Sequence, residues 1–211
     1  SLYNREVYAT SGERILLWFD MIHPKLGKIP MGSEVSSDKS ELKFLVKAIG
    51  SFKQKPGCPE YVHNSLSKDE VSRLCLNECY NPSDKRNKIN RIEVVKIIVT
   101  EDIDNLDEAI NDPWKVFNCE DQGEGCSFEF IDSDLSSEEI DTVYYVRAIQ
   151  EPSLAVGGDP LRCELNEKGE CIKTRPCYAS GDNFDAKDDC LSLIQERAWS
   201  SPIFISYKKS S

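Results

Sequence analysis

The chain has 211 residues, a length that fits one large domain or a domain carrying an insertion. Lys and Arg total 26 against 37 Asp and Glu, and the resulting formal charge of −11 repels a phosphate backbone and sets nucleic-acid binding aside. No apolar run approaches the roughly 18 to 20 residues needed to span a bilayer, and no apolar signal-peptide stretch follows the opening Ser1-Leu2-Tyr3-Asn4-Arg5.

Ser1 to Ser11 is polar and reads as the tail of an upstream element. Arg14 to Ile22 is a strand whose apolar residues fall on both parities, with Asp20 interrupting one face. His23-Pro24 ends it, because proline cannot donate to a ladder. Lys25 to Ser40 is a turn-rich connection containing Pro30 and Gly32. Leu42 to Ile49 alternates, with Leu42, Phe44, Val46 and Ala48 facing one way, so it is a half-buried strand. Gly50 to Lys88 is a long excursion with one short helix. That helix is signalled by a capping box between Ser67 and Glu70.

Arg91 to Thr100 is the strongest strand. Ile92, Val94 and Ile98 lie on one parity and Val95, Ile97 and Val99 on the other, which predicts a central strand covered on both faces. Asp102 to Asp112 is an acidic loop with a helical turn. Pro113–Phe117 and Cys126–Ile131 are read as two arms of a hairpin whose tip holds Gly123 and Gly125. Thr142 to Ile149 is another strong strand, Glu151 to Asp189 a second long excursion, and Pro202 to Tyr207 a final short strand. Six or seven strands with turn-rich connections and little helix predict a mainly β fold, an antiparallel, immunoglobulin-like β-sandwich. No Gly-rich phosphate loop follows any strand, so a doubly wound sheet is not expected.

The nine cysteines lie in polar, Gly- and Asp-rich loops, as disulfide cysteines of an oxidising compartment do. Cys119–Cys126 would close the hairpin tip, and Cys163–Cys171 and Cys177–Cys190 would tie the second excursion. Cys58 would pair with Cys75 or Cys79, leaving the other odd. Cys58, His63, Cys75 and Cys79 can be written as a zinc set, but no CxxC-type pair occurs and disulfides fit the chain better. Asp182, Asp185, Asp188 and Asp189 are dense enough for calcium but lack the EF-hand order of ligands and glycine. His23 and His63 stand near no nucleophile motif. Trp114 and Trp199 are candidates for a carbohydrate platform or, more ordinarily, for core or interface.

Four passages carry a resemblance: Arg5-Glu6-Val7-Tyr8-Ala9-Thr10-Ser11-Gly12-Glu13-Arg14-Ile15, Pro30-Met31-Gly32, Arg91-Ile92-Glu93-Val94-Val95, and Gln195-Glu196-Arg197-Ala198-Trp199-Ser200-Ser201-Pro202-Ile203. In this order they resemble the C-terminal part of a bacterial family described only as domain of unknown function 3604. Glu78-Cys79-Tyr80-Asn81-Pro82-Ser83-Asp84 is similar to a Cys-rich branch of it. Full-length members resemble the polymerase-and-histidinol-phosphatase class of metal-dependent hydrolases. The resemblance implies an N-terminal barrel whose His and Asp residues hold divalent metal. None of those motifs is matched here, so no catalytic residue and no cofactor is carried over.

The resulting expectation is an exit segment at 1–13, a sandwich at 14–207 with excursions at 50–88 and 151–189, and a tail at 208–211. The chain would be the non-catalytic accessory domain of a periplasmic or extracellular metallohydrolase, with its own N-terminal barrel as partner and no stated oligomeric state. Arg14, Arg197 and Trp199 are the candidate contacts to the barrel or to a ligand. Arg197 is expected to be held by Glu93 or Glu196, and Trp199 to be buried. The alternative is a stand-alone glycan- or ligand-binding module.

Overall fold

The structure is a computed structural model and describes residues 1–37, 41–75, 79–99, 106–120, 122–123, 125–133, 140–156, 161–177 and 191–207. The chain divides into two compact units, Ser1–Gln150 with Arg197–Ser211, and Glu151–Glu196.

The larger unit is a β-sandwich. In chain order its elements are β1 (Tyr8–Thr10), β2 (Leu16–His23), β3 (Gly27–Pro30), β4 (Glu34–Ser37), β5 (Leu42–Ile49), β6 (Phe52–Gln54), α1 (Glu60–Ser65), α2 (Lys68–Cys75), β7 (Pro82–Arg86), β8 (Ile89–Ile98), α3 (Leu106–Ala109), β9 (Ile110–Asn118), β10 (Gly125–Asp132) and β11 (Thr142–Gln150). The smaller unit holds β12 (Ser153–Val156), β13 (Leu161–Leu165), β14 (Cys171–Pro176) and β15 (Leu191–Ile194). The chain then returns to the sandwich as β16 (Arg197–Ser200) and β17 (Ile203–Tyr207).

β11 organises the larger sheet. β8 runs along one edge of it and is paired in turn with β9. The other edge is shared end to end by β16 and β17. Pro202 lies between those two short strands, and proline has no N–H to offer a ladder. The Val146 N–H, facing this break, donates instead to Ser200 Oγ at 3.0 Å. β1 pairs antiparallel with β16, and β4 pairs with β17 as the one parallel pair among the strands described. The second sheet runs β10-β5-β2-β3 and is antiparallel throughout.

The inner faces meet in one core. Ile92 and Val94 of β8, Tyr144, Val146 and Ala148 of β11, and Ile203 of β17 lie against Leu17, Phe19 and Met21 of β2 and Phe44 and Val46 of β5. Phe19, Phe44 and Phe130 stack on one another at centroid distances of 5.2–6.5 Å. Such rings bury large apolar areas and pair favourably when offset. The alternation read in Leu42–Ile49 is present, with the even-numbered residues buried. Val95 of β8 is buried on the opposite parity from Ile92 and Val94, as a strand apolar on both faces requires.

Two links tie the ends of β10 to the larger sheet. Cys119, just after β9, bonds to Cys126 on β10. At the far end Asp132 meets Lys96 of β8 at 2.6 Å and accepts the Tyr144 hydroxyl at 2.6 Å. These links correct the hairpin reading. The two arms do not pair with each other: β9 pairs β8 and β10 pairs β5, so the two arms belong to different sheets. Both arms have the β-branched and aromatic residues of strands, and that local character does not reveal which neighbour a strand takes. Closing so short a loop by a disulfide stabilises by about 2 kcal/mol in the chain-entropy model.

Other expectations shift in detail. Lys25–Ser40 contains β3 and β4, too short to show periodicity. The exit segment contributes β1 to the larger sheet. The 50–88 excursion holds two helices, not one, and β6 pairs β7. The Ser67 capping box is formed. Glu70 Oε2 accepts the Ser67 N–H at 2.9 Å and its hydroxyl at 2.7 Å, and those bonds hold the Glu70 pKa below the ordinary carboxylate range. The 151–189 excursion belongs to a unit with its own strands. β12 pairs β15, β13 pairs β14, and Cys163–Cys171 crosses the β13–β14 hairpin as predicted. Arg162 reaches from β13 to the Ser192 hydroxyl and the Leu191 carbonyl of β15. Cys177 is disulfide-bonded, while its predicted partner Cys190, the acidic loop 182–189 and the tail 208–211 lie outside the described residues.

Asp20 is the polar interruption in β2. Burial pushes its pKa up, against the pull of Lys28, whose Nζ stands 3.9 Å away. A carboxyl whose folded pKa is raised contributes stability in the protonated form, below the unfolded pKa near 4, and loses it as pH rises through the folded value. Asp20→Asn is therefore expected to raise the melting temperature at pH 7 and to give a smaller gain at pH 3. Melts at the two pH values check the sign, and an equal or larger gain at pH 3 contradicts it.

Candidate functional site

The side chains of β16 alternate. Ala198 and Ser200 are buried, so Arg197 and Trp199 share the outer face of the larger sheet. Strand register continues both residues across that face. Trp199 stands opposite Ala9 on one side and Arg147 on the other, and Arg147 is opposite Glu93, itself opposite Val116. Arg197 stands opposite Ile149, which is opposite Arg91, and Arg91 is opposite Asn118.

Arg147 is the electrostatic centre of this face. Its guanidinium contacts Glu93 Oε2 at 2.7 Å and grips both oxygens of Asp112, with Nη1 to Oδ2 at 3.0 Å. Arg91 Nε meets the other Glu93 oxygen at 2.7 Å. A planar fork suits paired carboxylates in this way and a lysine would not. Burial opposes the Arg147 charge, but the Asp112 hydrogen bond and the Glu93 and Asp112 charges outweigh it and raise the Arg147 pKa. Burial, aided by Asp112, raises the neighbouring Tyr145.

The N-terminal segment is fastened along the same strand. Ser11 and Arg197 exchange hydrogen bonds: the Ser11 N–H donates to the Arg197 carbonyl at 2.9 Å, and Ser11 Oγ accepts the Arg197 N–H at 2.9 Å. The Ser201 N–H donates to the Val7 carbonyl, and the Gly32 N–H to the Pro202 carbonyl. Arg5 pairs with Glu34 at 2.8 Å. Gly32 has φ +88°, and a Cβ there would lie 2.5 Å from the Arg5 carbonyl carbon. Only glycine satisfies both conditions. The passages 5–15, 30–32, 91–95 and 195–203 therefore meet around β16, the last two through Arg147.

Of the predicted contact residues, Arg197 and Trp199 come together and Arg14 does not join them. Arg14 precedes β2 of the other sheet, where its guanidinium lies 4.3 Å from the Tyr80 ring centroid. Glu93 is held by Arg147 and Arg91, not by Arg197, because cross-strand register brings Arg147 opposite Glu93. Arg197 is exposed and Trp199 half-buried, since their parity turns them away from the core. Trp114 is no platform: it packs on the core beside Phe130 and Tyr144. Arg147 and Asp112 were not singled out in the sequence, and no local signal marks them, because their pairing depends on how β8, β9 and β11 align.

The cysteines of the 50–88 excursion form a second cluster. Cys58–Cys79 is a disulfide, Cys75 is a free thiol, and the three sulfurs lie within 4.8 Å of one another. His63, the fourth member of the zinc set that was set aside in favour of disulfides, is not in this group. His23 Nδ1 accepts the N–H groups of Lys25 and Leu26 at 3.2 and 3.1 Å and so closes the β2–β3 turn. Comparisons with family models, curated proteins and solved structures give no match to this chain. No helix among the described residues is long and apolar enough to cross a membrane, and the disulfides are compatible with an oxidising compartment.

Proposed function

We propose that the chain is the non-catalytic C-terminal accessory domain of a periplasmic or secreted metallohydrolase, related to the family that its four passages resemble. In this reading the outer face bearing Arg197 and Trp199 docks on an N-terminal barrel, and the divalent metal belongs to the barrel. The reading rests chiefly on one observation. The four passages that carry the resemblance, far apart in sequence, are joined around β16 by hydrogen bonds and by Arg147. β1 flanks Trp199 directly, and the segment before β1 runs beside Gly32 and Glu34 at the same edge of the sheet.

The test has two steps. The upstream coding sequence is read for the His and Asp metal motifs, and the upstream domain, expressed separately, is titrated with this chain. Trp199→Ala is expected to weaken that binding about 30-fold, as loss of a tryptophan anchor worth about 2 kcal/mol does. The same substitution should lower the chain's own stability by only about 1–2 kcal/mol, less than for a buried tryptophan. An upstream sequence without metal motifs, or unchanged affinity in the variant, overturns the proposal. Glycan binding lost with Trp199→Ala would favour the module reading.

A further inference from the structure

The Cys58, Cys75 and Cys79 cluster contains more sulfur than one disulfide needs. Cys75 is the last residue of α2, Cys58 precedes α1, and Cys79 precedes β7. All three are half-buried, and the Cys75 sulfur is within 4.8 Å of both sulfurs of the Cys58–Cys79 bond. We propose that these three residues form a thiol–disulfide exchange centre, in which the free thiol moves from Cys75 to another member of the group.

The step is balanced within the cluster. The Cys75 thiolate attacks Sγ of Cys58 and forms a Cys58–Cys75 bond. The electron pair of the old S–S bond leaves on Cys79 Sγ, which takes up the proton that Cys75 gave up. Attack on Cys79 instead leaves the pair on Cys58. One disulfide and one thiol are present before and after, so no external oxidant or reductant is consumed.

The surroundings hold the partners together while the bond changes. Asn81 fastens the strand after Cys79 to the segment before Cys58. Its N–H donates to Gln54 Oε1 at 2.9 Å, its carbonyl accepts the Lys55 N–H at 2.7 Å, and its side-chain amide reaches the Pro56 and Gly57 carbonyls. α2, which carries Cys75, is anchored independently by the buried Val71 and by the Ser67 cap. Opening the Cys58–Cys79 bond therefore leaves its sulfurs near each other and near Cys75.

The test is disulfide mapping on the intact chain. The folded protein is incubated at pH 8 without reductant, where thiolate is available, then acidified and cut with pepsin so that exchange is frozen during digestion. Peptides linking Cys58 to Cys75 or Cys75 to Cys79 are expected beside the Cys58–Cys79 peptide. A fraction held at pH 4 throughout should change more slowly. A Cys79→Ser chain should recover a Cys58–Cys75 bond, and Cys75→Ser should retain Cys58–Cys79 alone. Only Cys58–Cys79 after incubation at pH 8, or two alkylatable thiols in the folded Cys79→Ser chain, overturns the proposal.

Discussion

Asp132→Ala is expected to destabilise the sandwich by about 3–5 kcal/mol, the cost of stripping the partner from a buried charge. The Asp132 side chain is fully buried and that of Lys96 is 9% exposed, with Nζ and Oδ2 2.6 Å apart. Removing the carboxylate leaves the Lys96 ammonium in the apolar interior, within 5.1 Å of the Trp114 ring centroid and 6.0 Å of that of Tyr144. An aromatic face attracts a cation, but by less than the lost carboxylate did. The Tyr144 hydroxyl also loses the acceptor it holds at 2.6 Å. The pair joins the two sheets, so its loss should appear as global unfolding at lower denaturant with an unchanged slope. Lys96→Met combined with Asp132→Leu removes both charges at similar volume and should recover most of the loss, since an apolar replacement of a whole buried pair is often neutral or better. A single variant within about 0.5 kcal/mol of the parent would show that water reaches the pair.

This buried pair also marks a limit on what the chain's residues reveal in isolation. β8 is legible because its branched residues occupy both parities, and that follows from local chemistry alone. Lys96 sits in the same strand and looks there like a solvated residue. It is buried because β10 brings Asp132 to the facing sheet, a contact between residues 36 positions apart that no local pattern encodes. The hairpin misreading has the same origin. Residues 110–118 and 125–132 have strand character and a turn between them, but partner choice is decided by the sheets that β8 and β5 offer. The capping box at Ser67 and the Cys119 and Cys163 pairings were legible because each closes within a few residues. At the candidate site, Trp199 and Arg197 stood out as residue types, whereas Arg147 and Asp112 did not. Their significance comes from cross-strand register, which places Arg147 beside Trp199 and opposite Glu93.

Gly50→Ala is expected to cost about 3 kcal/mol or more, through overpacking rather than torsion. Gly50 does not have positive φ, so the backbone would accept alanine. The space would not. A Cβ at residue 50 would lie 2.7 Å from the Asn87 carbonyl carbon and closer still to its oxygen. Relief requires a main chain to move, and both are held. The Asn87 N–H donates to the Ser51 carbonyl at 2.8 Å, and Asn87 Nδ2 donates to Ser51 Oγ at 3.0 Å. Ser51 in turn donates its N–H and its hydroxyl to Gln150 Oε1 at 3.0 and 2.9 Å, at the end of β11. Ser51, Asn87 and Gln150 are all buried, so any bond broken there leaves a polar group without water. The Gly50 carbonyl is also fixed, by Arg86 Nη1 at 2.7 Å. The inserted methyl must therefore either compress two backbones or open this network, and overpacking of a rigid site costs about 1–3 kcal/mol before any lost hydrogen bond is added. A denaturant melt gives the loss, and Ser51→Ala provides the comparison, because it weakens the same network without adding volume. Should Gly50→Ala melt like the parent while Ser51→Ala does not, the close approach of Gly50 to Asn87 is not a constraint on the fold.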